Sequence, residues 1–262
     1  MRLSGRVALV TGGGAGLGKG IALEMAKEGA DVAIADIDES RAQQTAKEVR
    51  QEGRRAAAIC ADVSRRGDVD RMVGETINAL GTVDILVNNA GISRGKPFLE
   101  LDDDSWDIVL NTNLKSVFMA SQTVARYWVA QGKKGKIVNI SSVDEIMPYP
   151  FNPHYNASKA GIHIMTESIA LALAPHQINI NSIGPGIHES EMTRPTLNNP
   201  KWQAGVPVKI PLGRVGTAAD VGKAAVFLAS SDADYITGAT LYVDGGHRFA
   251  AHAQVMKMFS AG

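Results

Sequence analysis

The sequence predicts an α/β protein built as a single-domain, Rossmann-type doubly wound parallel sheet. Three observations carry that reading. Short runs that are apolar throughout alternate with longer stretches of helical periodicity, the pattern of βα units joined by right-handed crossovers. The apolar runs are not interleaved with polar residues, as expected of strands covered by helices on both faces. A glycine-rich turn closes the first run, where open sheets of this kind place a ligand.

The elements come in order along the chain. Val7 to Val10 is the first buried strand and Gly16 to Glu28 the amphipathic helix behind it. Val32 to Ala35 with Glu39 to Gln51, then Ala56 to Cys60 with Gly67 to Leu80, repeat the unit. Ile85 to Val87 is a fourth strand, and after a loop one long helix is expected over about 103–131. Lys136 to Ile140 leads to a helix carrying Tyr155 to Leu173; Ile178 to Ile183, Ala218 to Ala229 and Thr240 to Val243 supply a strand, a helix and a last strand. No linker or low-complexity stretch interrupts the series, so residues 1–262 read as one domain. The least regular region, 186–214 with prolines at 195, 200, 207 and 211, is expected to form a lid over the site. Residues 247–262 form a C-terminal tail that could reach a neighbouring subunit's site.

Composition narrows the function classes. Lys+Arg 27 against Asp+Glu 27 leaves no net charge, which argues against nucleic acid or an anionic membrane as partner. The six histidines are scattered without ligand spacing, so no metal site is expected. The single cysteine, Cys60, excludes an intrachain disulfide and reads as a buried structural thiol. No secretory leader and no apolar run near the ~18–20 residues of a membrane span is evident, so a soluble cytoplasmic protein is expected.

Two local patterns carry chemistry. In Tyr155-Asn156-Ala157-Ser158-Lys159 a phenol and an ammonium share one helix face. A neighbouring cation favours the phenolate and would draw the phenol toward neutral pH. Upstream, Thr11-Gly12-Gly13-Gly14-Ala15-Gly16-Leu17-Gly18 joins strand to helix; glycines let the backbone approach a pyrophosphate seated on the helix N-terminus. About twenty residues on, Asp36 ends the second strand, where a carboxylate can accept both adenosine ribose hydroxyls and repel the 2′-phosphate of NADP. NAD is the expected cofactor.

Together these residues resemble the classical short-chain dehydrogenase/reductase family over nearly the whole chain. The resemblance rests on the glycine turn at 11–18, Asp62-Val63, Asn88-Asn89-Ala90-Gly91, Asn113, Ser142, Tyr155-x-x-x-Lys159 and Pro185-Gly186. It implies that Gly12, Gly14, Gly16, Leu17 and Gly18 hold the pyrophosphate, and that Asp36 and Ile37 face the adenosine ribose. Asp62 would bond the adenine amino group with Val63 beside it, while Asn89, Ala90 and Gly91 line the strand end. Pro185, Gly186 and Ile187 would bracket the nicotinamide; Ser190 stands where members usually carry Thr. Tyr155 would be the general base in oxidation, removing the alcohol proton as hydride passes to the nicotinamide. Lys159 would hold the nicotinamide ribose and lower the phenol, Ser142 the substrate oxygen, and Asn113 a water linking Lys159 to solvent. A homotetramer is implied, with helices at about 103–131 and 153–173 pairing between subunits; Val117, Phe118, Ala120, Val124, Ile162, Ile164 and Met165 could serve core or interface.

The stretch from Ile140 to Tyr155 is locally similar to bacterial glucose 1-dehydrogenases, departing at Asp144 and after Gly186. Ser142, Asp144, Glu145, Asn152, His154 and His188 are candidates to bind a sugar or polyol. Alternatives are a ketone reductase of the 3-oxoacyl-carrier-protein type, or a non-catalytic NAD-binding protein, which loss of Tyr155, Lys159 or Ser142 would have signalled. Enoyl reductases of related fold place the lysine farther from the tyrosine. Gly91-Ile92-Ser93-Arg94-Gly95 matches G-x-S-x-G but does not feed directly into a helix, so a serine hydrolase is disfavoured.

Overall fold

The computed structural model describes residues 1–191 and 193–250. Seven parallel strands form one sheet: β1 Val7–Thr11, β2 Asp31–Asp36, β3 Ala56–Cys60, β4 Ile85–Asn88, β5 Gly135–Ile140, β6 Ile178–Pro185 and β7 Thr240–Val243. Their spatial order is β3-β2-β1-β4-β5-β6-β7. The order reverses between β1 and β4, which pair through Val10 and Val87. A crevice opens outside the strand ends at such a reversal, and this position places the site.

Helices cover both faces: α1 Gly16–Lys27, α2 Glu39–Gln51, α3 Arg66–Leu80, α4 Asp103–Leu110, α5 Ser116–Ala130 and α6 Pro153–Leu173, then the short α7 Arg194–Leu197, α8 Pro200–Ala204 and α9 Val206–Lys209, and finally α10 Ala218–Ala229. Because successive side chains of a strand face opposite ways, Val10 and Ile34 join Ile21, Met25 and Val226 in one core. Leu9 and Leu86 join Met72, Met119 and Trp128 in the other. Each such large side chain, fully buried, contributes about 1.5–3 kcal/mol. Side-chain capping starts α2, where Asp38 accepts from the Ser40 and Arg41 amides, and α10, where Thr217 and Asp220 form a reciprocal box.

The helix expected over 103–131 is present as α4 and α5, joined without interruption by a π-helical turn, Asn111–Lys115. One expectation is corrected. Cys60 is exposed rather than buried, because β3 is the edge strand and its last side chain lies outside the α2–α3 cover. The 186–214 region holds the three short helices α7 to α9. On α5 and α6 the apolar residues divide: Val117, Ala120, Val124 and Ile162 are core, whereas Phe118 (42%) and Ile164 (58%) are exposed. No helix among the described residues is long and apolar enough to cross a membrane. The tail beyond residue 250 lies outside the described residues.

Candidate active site

At the strand reversal lies a cleft of about 640 Å³. Its adenosine end is shaped by backbone. Gly12 has φ +60, and a Cβ there would stand 2.9 Å from Ala90 Cα, so only glycine allows β1 to turn this close to the end of β4. At Gly18 a Cβ would lie 2.1 Å from the Gly12 carbonyl oxygen and 2.4 Å from Asn89 Nδ2. Asn89 Nδ2 donates to both Thr11 O and Gly12 O at 3.0 Å, while Thr11 Oγ1 accepts from the amides of Asn89 (3.0 Å) and Ala90 (3.2 Å). Gly12, Gly16 and Leu17 face the cleft; Gly14 and Gly18 are absent from its lining and set its shape from behind. The first residue flanking α1, Ala15, offers no capping side chain, which suits a helix start that receives an anion from outside the chain.

Asp36 and Ile37 line the same end, with Asp62 and Val63 beside them. Both oxygens of Asp36 are oriented by backbone: Oδ2 accepts from Gly14 N at 2.9 Å and Oδ1 from Asp38 N at 3.0 Å. Asp62 Oδ1 takes the Ser64 amide at 3.0 Å and its hydroxyl at 2.7 Å. Asn89, Ala90, Gly91, Pro185, Gly186 and Ser190 complete the wall. Ile187 instead faces a second recess of about 500 Å³, shared with Tyr242 and Asp244. The residues present therefore fit a dinucleotide: a glycine cradle that a Cβ would fill, a free helix start, and two oriented carboxylates beyond it.

The reacting end brings Ser142, Tyr155 and Lys159 together on the cleft wall. Pro153 begins α6, and the helical register then stacks Lys159 one turn behind Tyr155. Lys159 Nζ donates to Ile140 O at 2.8 Å and stands 5.5 Å from the Tyr155 ring centroid. Burial pushes the ammonium down to about 8, opposed by the carboxylates of Asp144 and Glu145. Burial also raises the Tyr155 phenol above its ordinary value; Asp144 adds to the rise and Ser142 opposes it. This corrects the expectation of a phenol drawn downward: the ammonium is tied to a strand-end carbonyl, and desolvation outweighs it. Asp144 is itself pushed up to about 6 by burial, with His247 and Lys159 acting against the rise.

Asn113 sits in the π turn, 1% exposed. Its Oδ1 accepts from Ile92 N at 2.8 Å, and its Nδ2 donates to Ile92 O (3.0 Å) and Ser158 Oγ (3.1 Å). Both amide hydrogens are used to hold the loop after β4 against α6. Any water relay here would run through the remaining lone pair or the main chain.

The polar candidates for substrate do not stay together. His188 lines the cleft, its Nδ1 3.1 Å from Gly186 O, and burial lowers its imidazole. Glu145 turns inward with no exposed side-chain surface. Its Oε1 accepts from Tyr242 OH at 2.5 Å and lies 3.3 Å from His163 Nδ1, and its Oε2 accepts from Ser141 Oγ. Asn152 and His154 do not line the cleft. Asn152 Oδ1 and both His154 ring nitrogens are buried without a hydrogen-bond partner; burial lowers the His154 imidazole, with the nearby Arg94 main chain opposing the shift.

Sequence reasoning did not single out Ser141, which also donates to Lys159 O at 3.1 Å, or His247, which acts on Asp144. Only the position of Ser141 beside Ser142 could have hinted at the first. Thr11 reads from the sequence as the first residue of the glycine turn, and the structure makes it a brace.

The profile of the enoyl-(acyl carrier protein) reductase family matches residues 12–248. The 2-dehydro-3-deoxy-D-gluconate 5-dehydrogenase of Escherichia coli K12 is 39% identical over 244 residues, 93% of this chain and 96% of that protein. The 3-oxoacyl-(acyl-carrier-protein) reductase of Thermotoga maritima is 37% identical, over 94% of this chain and 99% of its own length. A crystal structure from Agrobacterium tumefaciens with bound NADP, provisionally assigned as a 2-deoxy-D-gluconate 3-dehydrogenase, superposes with a TM-score of 0.87 at 36% identity, covering 94% and 97% of the two chains.

Proposed function

The chain belongs to the classical short-chain dehydrogenase/reductase family, and on that premise we propose that it is an NAD-dependent dehydrogenase of a secondary hydroxyl on a sugar, sugar acid or related polyol. As an oxidoreductase it acts at a CH–OH group or the corresponding ketone. The observation that carries the proposal is one continuous cleft with Asp36 at one end and Ser142, Tyr155 and Lys159 at the other.

Gly12, Gly16 and Leu17 would hold the pyrophosphate on the start of α1, and Asp36 the adenosine ribose. Asp62 and Val63 would take the adenine, with Asn89 to Gly91 and Pro185 to Ser190 about the nicotinamide. When bound, the nicotinamide supplies the acceptor or donor of hydride. Tyr155 exchanges the proton of the substrate oxygen, and the Ser142 hydroxyl holds that oxygen in place. Lys159 sets positive charge behind the phenol, and Asn113 fixes the wall on which both stand. His188 offers an imidazole from the cleft wall to a neighbouring hydroxyl. Unit charges 4 Å apart in a wet site repel by ~1–4 kcal/mol, so the oriented Asp36 carboxylate supports NAD over NADP. Relatives named for gluconate derivatives support a polyhydroxylated substrate. The four-residue Tyr–Lys spacing disfavours the double-bond reduction in the family profile's name.

A 3-oxoacyl thioester is the second reading, supported by the Thermotoga relative and by a phenol that burial keeps protonated, ready to donate to a ketone. Initial rates with NAD and NADP on aldoses, sugar acids and cyclitols, and with NADH and NADPH on a 3-oxoacyl thioester, separate the two. The proposal expects NAD-linked oxidation of a polyhydroxylated compound, reduced about 10²–10⁴-fold in Tyr155→Phe; turnover confined to thioesters or apolar alcohols would overturn it. We also propose a cytoplasmic homotetramer with 186–214 as a lid over the cleft. Exposed Phe118 and Ile164 on α5 and α6 support the assembly, and light scattering at micromolar concentration tests it.

A further inference from the structure

Arg41, on α2, reaches across the mouth of the cleft to a residue 150 positions later. Its Nη1 lies 2.8 Å from Glu191 Oε2, and its Nε lies 3.2 Å from Asp38 Oδ2. Arg41 and Glu191 both line the cleft. The root of Arg41 stands where Asp36 does: a Cβ on Gly14 would be 2.7 Å from Arg41 Cβ and 2.8 Å from Asp36 Oδ2. The other strongly basic side chains of the lining, Arg94 and Lys159, belong to the reacting end. One lies on the loop after β4, and the other stands behind Tyr155.

A nucleotide with a 2′-phosphate brings a dianion to the ribose edge that Asp36 faces. Tolerance of that group requires a cation there, and a guanidinium is well suited because it binds phosphate through two parallel N–H bonds. Arg41 is such a cation, already held by two carboxylates, one of them contributed by the 186–214 segment. We propose that Glu191 withholds Arg41 from a 2′-phosphate, so that this segment takes part in choosing NAD over NADP. The proposal rests on the NAD reading above and adds a second contribution to that of Asp36. Glu191 acts on the adenosine end while belonging to the segment over the reacting end.

The experiment needs no substrate. Wild type, Glu191→Gln, Arg41→Gln and the double variant are titrated with NADH and with NADPH by nucleotide fluorescence at low ionic strength. Glu191 is 54% exposed on its side chain, so its neutral isostere leaves the core untouched. Expected is a roughly three- to tenfold tighter NADPH complex in Glu191→Gln, on the scale of one unit charge at a wet surface. NADH affinity should change less than about twofold. The gain should disappear in the double variant and shrink at high salt. An unchanged NADPH affinity, an equal change for both nucleotides, or a gain that survives loss of Arg41 would each overturn the role of Glu191. A wild type that prefers NADPH would overturn the NAD reading itself, whatever the variants do.

Discussion

The two ends of the cleft are built from different materials. At the adenosine end the wall is main chain, held by Asn89 and Thr11 and closed so tightly that a single methyl at Gly18 would meet a carbonyl at 2.1 Å. At the reacting end the wall is side chains, and their proton affinities depend on charged groups around them: Asp144 acts on Tyr155 and on Lys159, and His247 acts on Asp144. Shape decides the first end and charge the second. Substitution of size should therefore damage one, and substitution of charge at constant size should retune the other.

The contrast breaks most visibly at Gly18. Gly18→Ala should lower stability by about 3 kcal/mol, since the nearest clashing atom is the Gly12 backbone carbonyl, which cannot move aside, and should weaken NADH binding more than tenfold. Urea unfolding and fluorescence titration check both; a variant that binds NADH normally would mean the cradle is not rigid. Glu145→Ala probes the support beneath the reacting end. It leaves Tyr242 OH without its acceptor and Ser141 Oγ with the Lys159 carbonyl alone, at roughly 2 kcal/mol. Glu145→Gln keeps an acceptor and should recover most of that loss in the same unfolding assay.

The smallest effect is the most specific. Asp144 has a native pKa of about 6, above its ordinary 3.8, so the fold favours its protonated form. The stability this contributes is complete below about pH 4 and is lost as pH rises through 6. Asp144→Asn should match wild type at pH 4 and exceed it by about 1–2 kcal/mol at pH 8, seen as a difference between unfolding midpoints. Removing the carboxylate also relieves the push on Tyr155, so the acid limb of the oxidation rate should move to lower pH. An unmoved limb would detach Asp144 from the phenol.

The difference between the ends also explains what could be read from the sequence. Strands, crossovers and the glycine turn announce themselves locally, through apolar runs and residues that only a tight bend requires. The pairing of Tyr155 with Lys159 is local too, four residues on one helix. The sign of the phenol's shift is not, because burial is supplied by the rest of the chain. Glu145 reads as a substrate ligand, yet its partner Tyr242 lies 97 residues away and turns it inward. The bond from Arg41 to Glu191 spans 150 residues and has no sequence signature. Cys60 reads as buried because it ends a recognisable strand, whereas its place at the sheet's edge belongs to topology.

The wide turn at Asn111–Lys115 has a counting consequence. It stores one residue more than an evenly wound spiral needs, with Ser116 N reaching back five positions to the Asn111 carbonyl. Excising Thr112 would let the spiral close up with α4 and α5 keeping their relative setting, while moving Asn113 out of its place in the wide turn. Asn113 could then no longer clasp Ile92 and Ser158 at once. A deletion that shortens nothing visible from outside would uncouple the loop after β4 from the helix that carries the phenol.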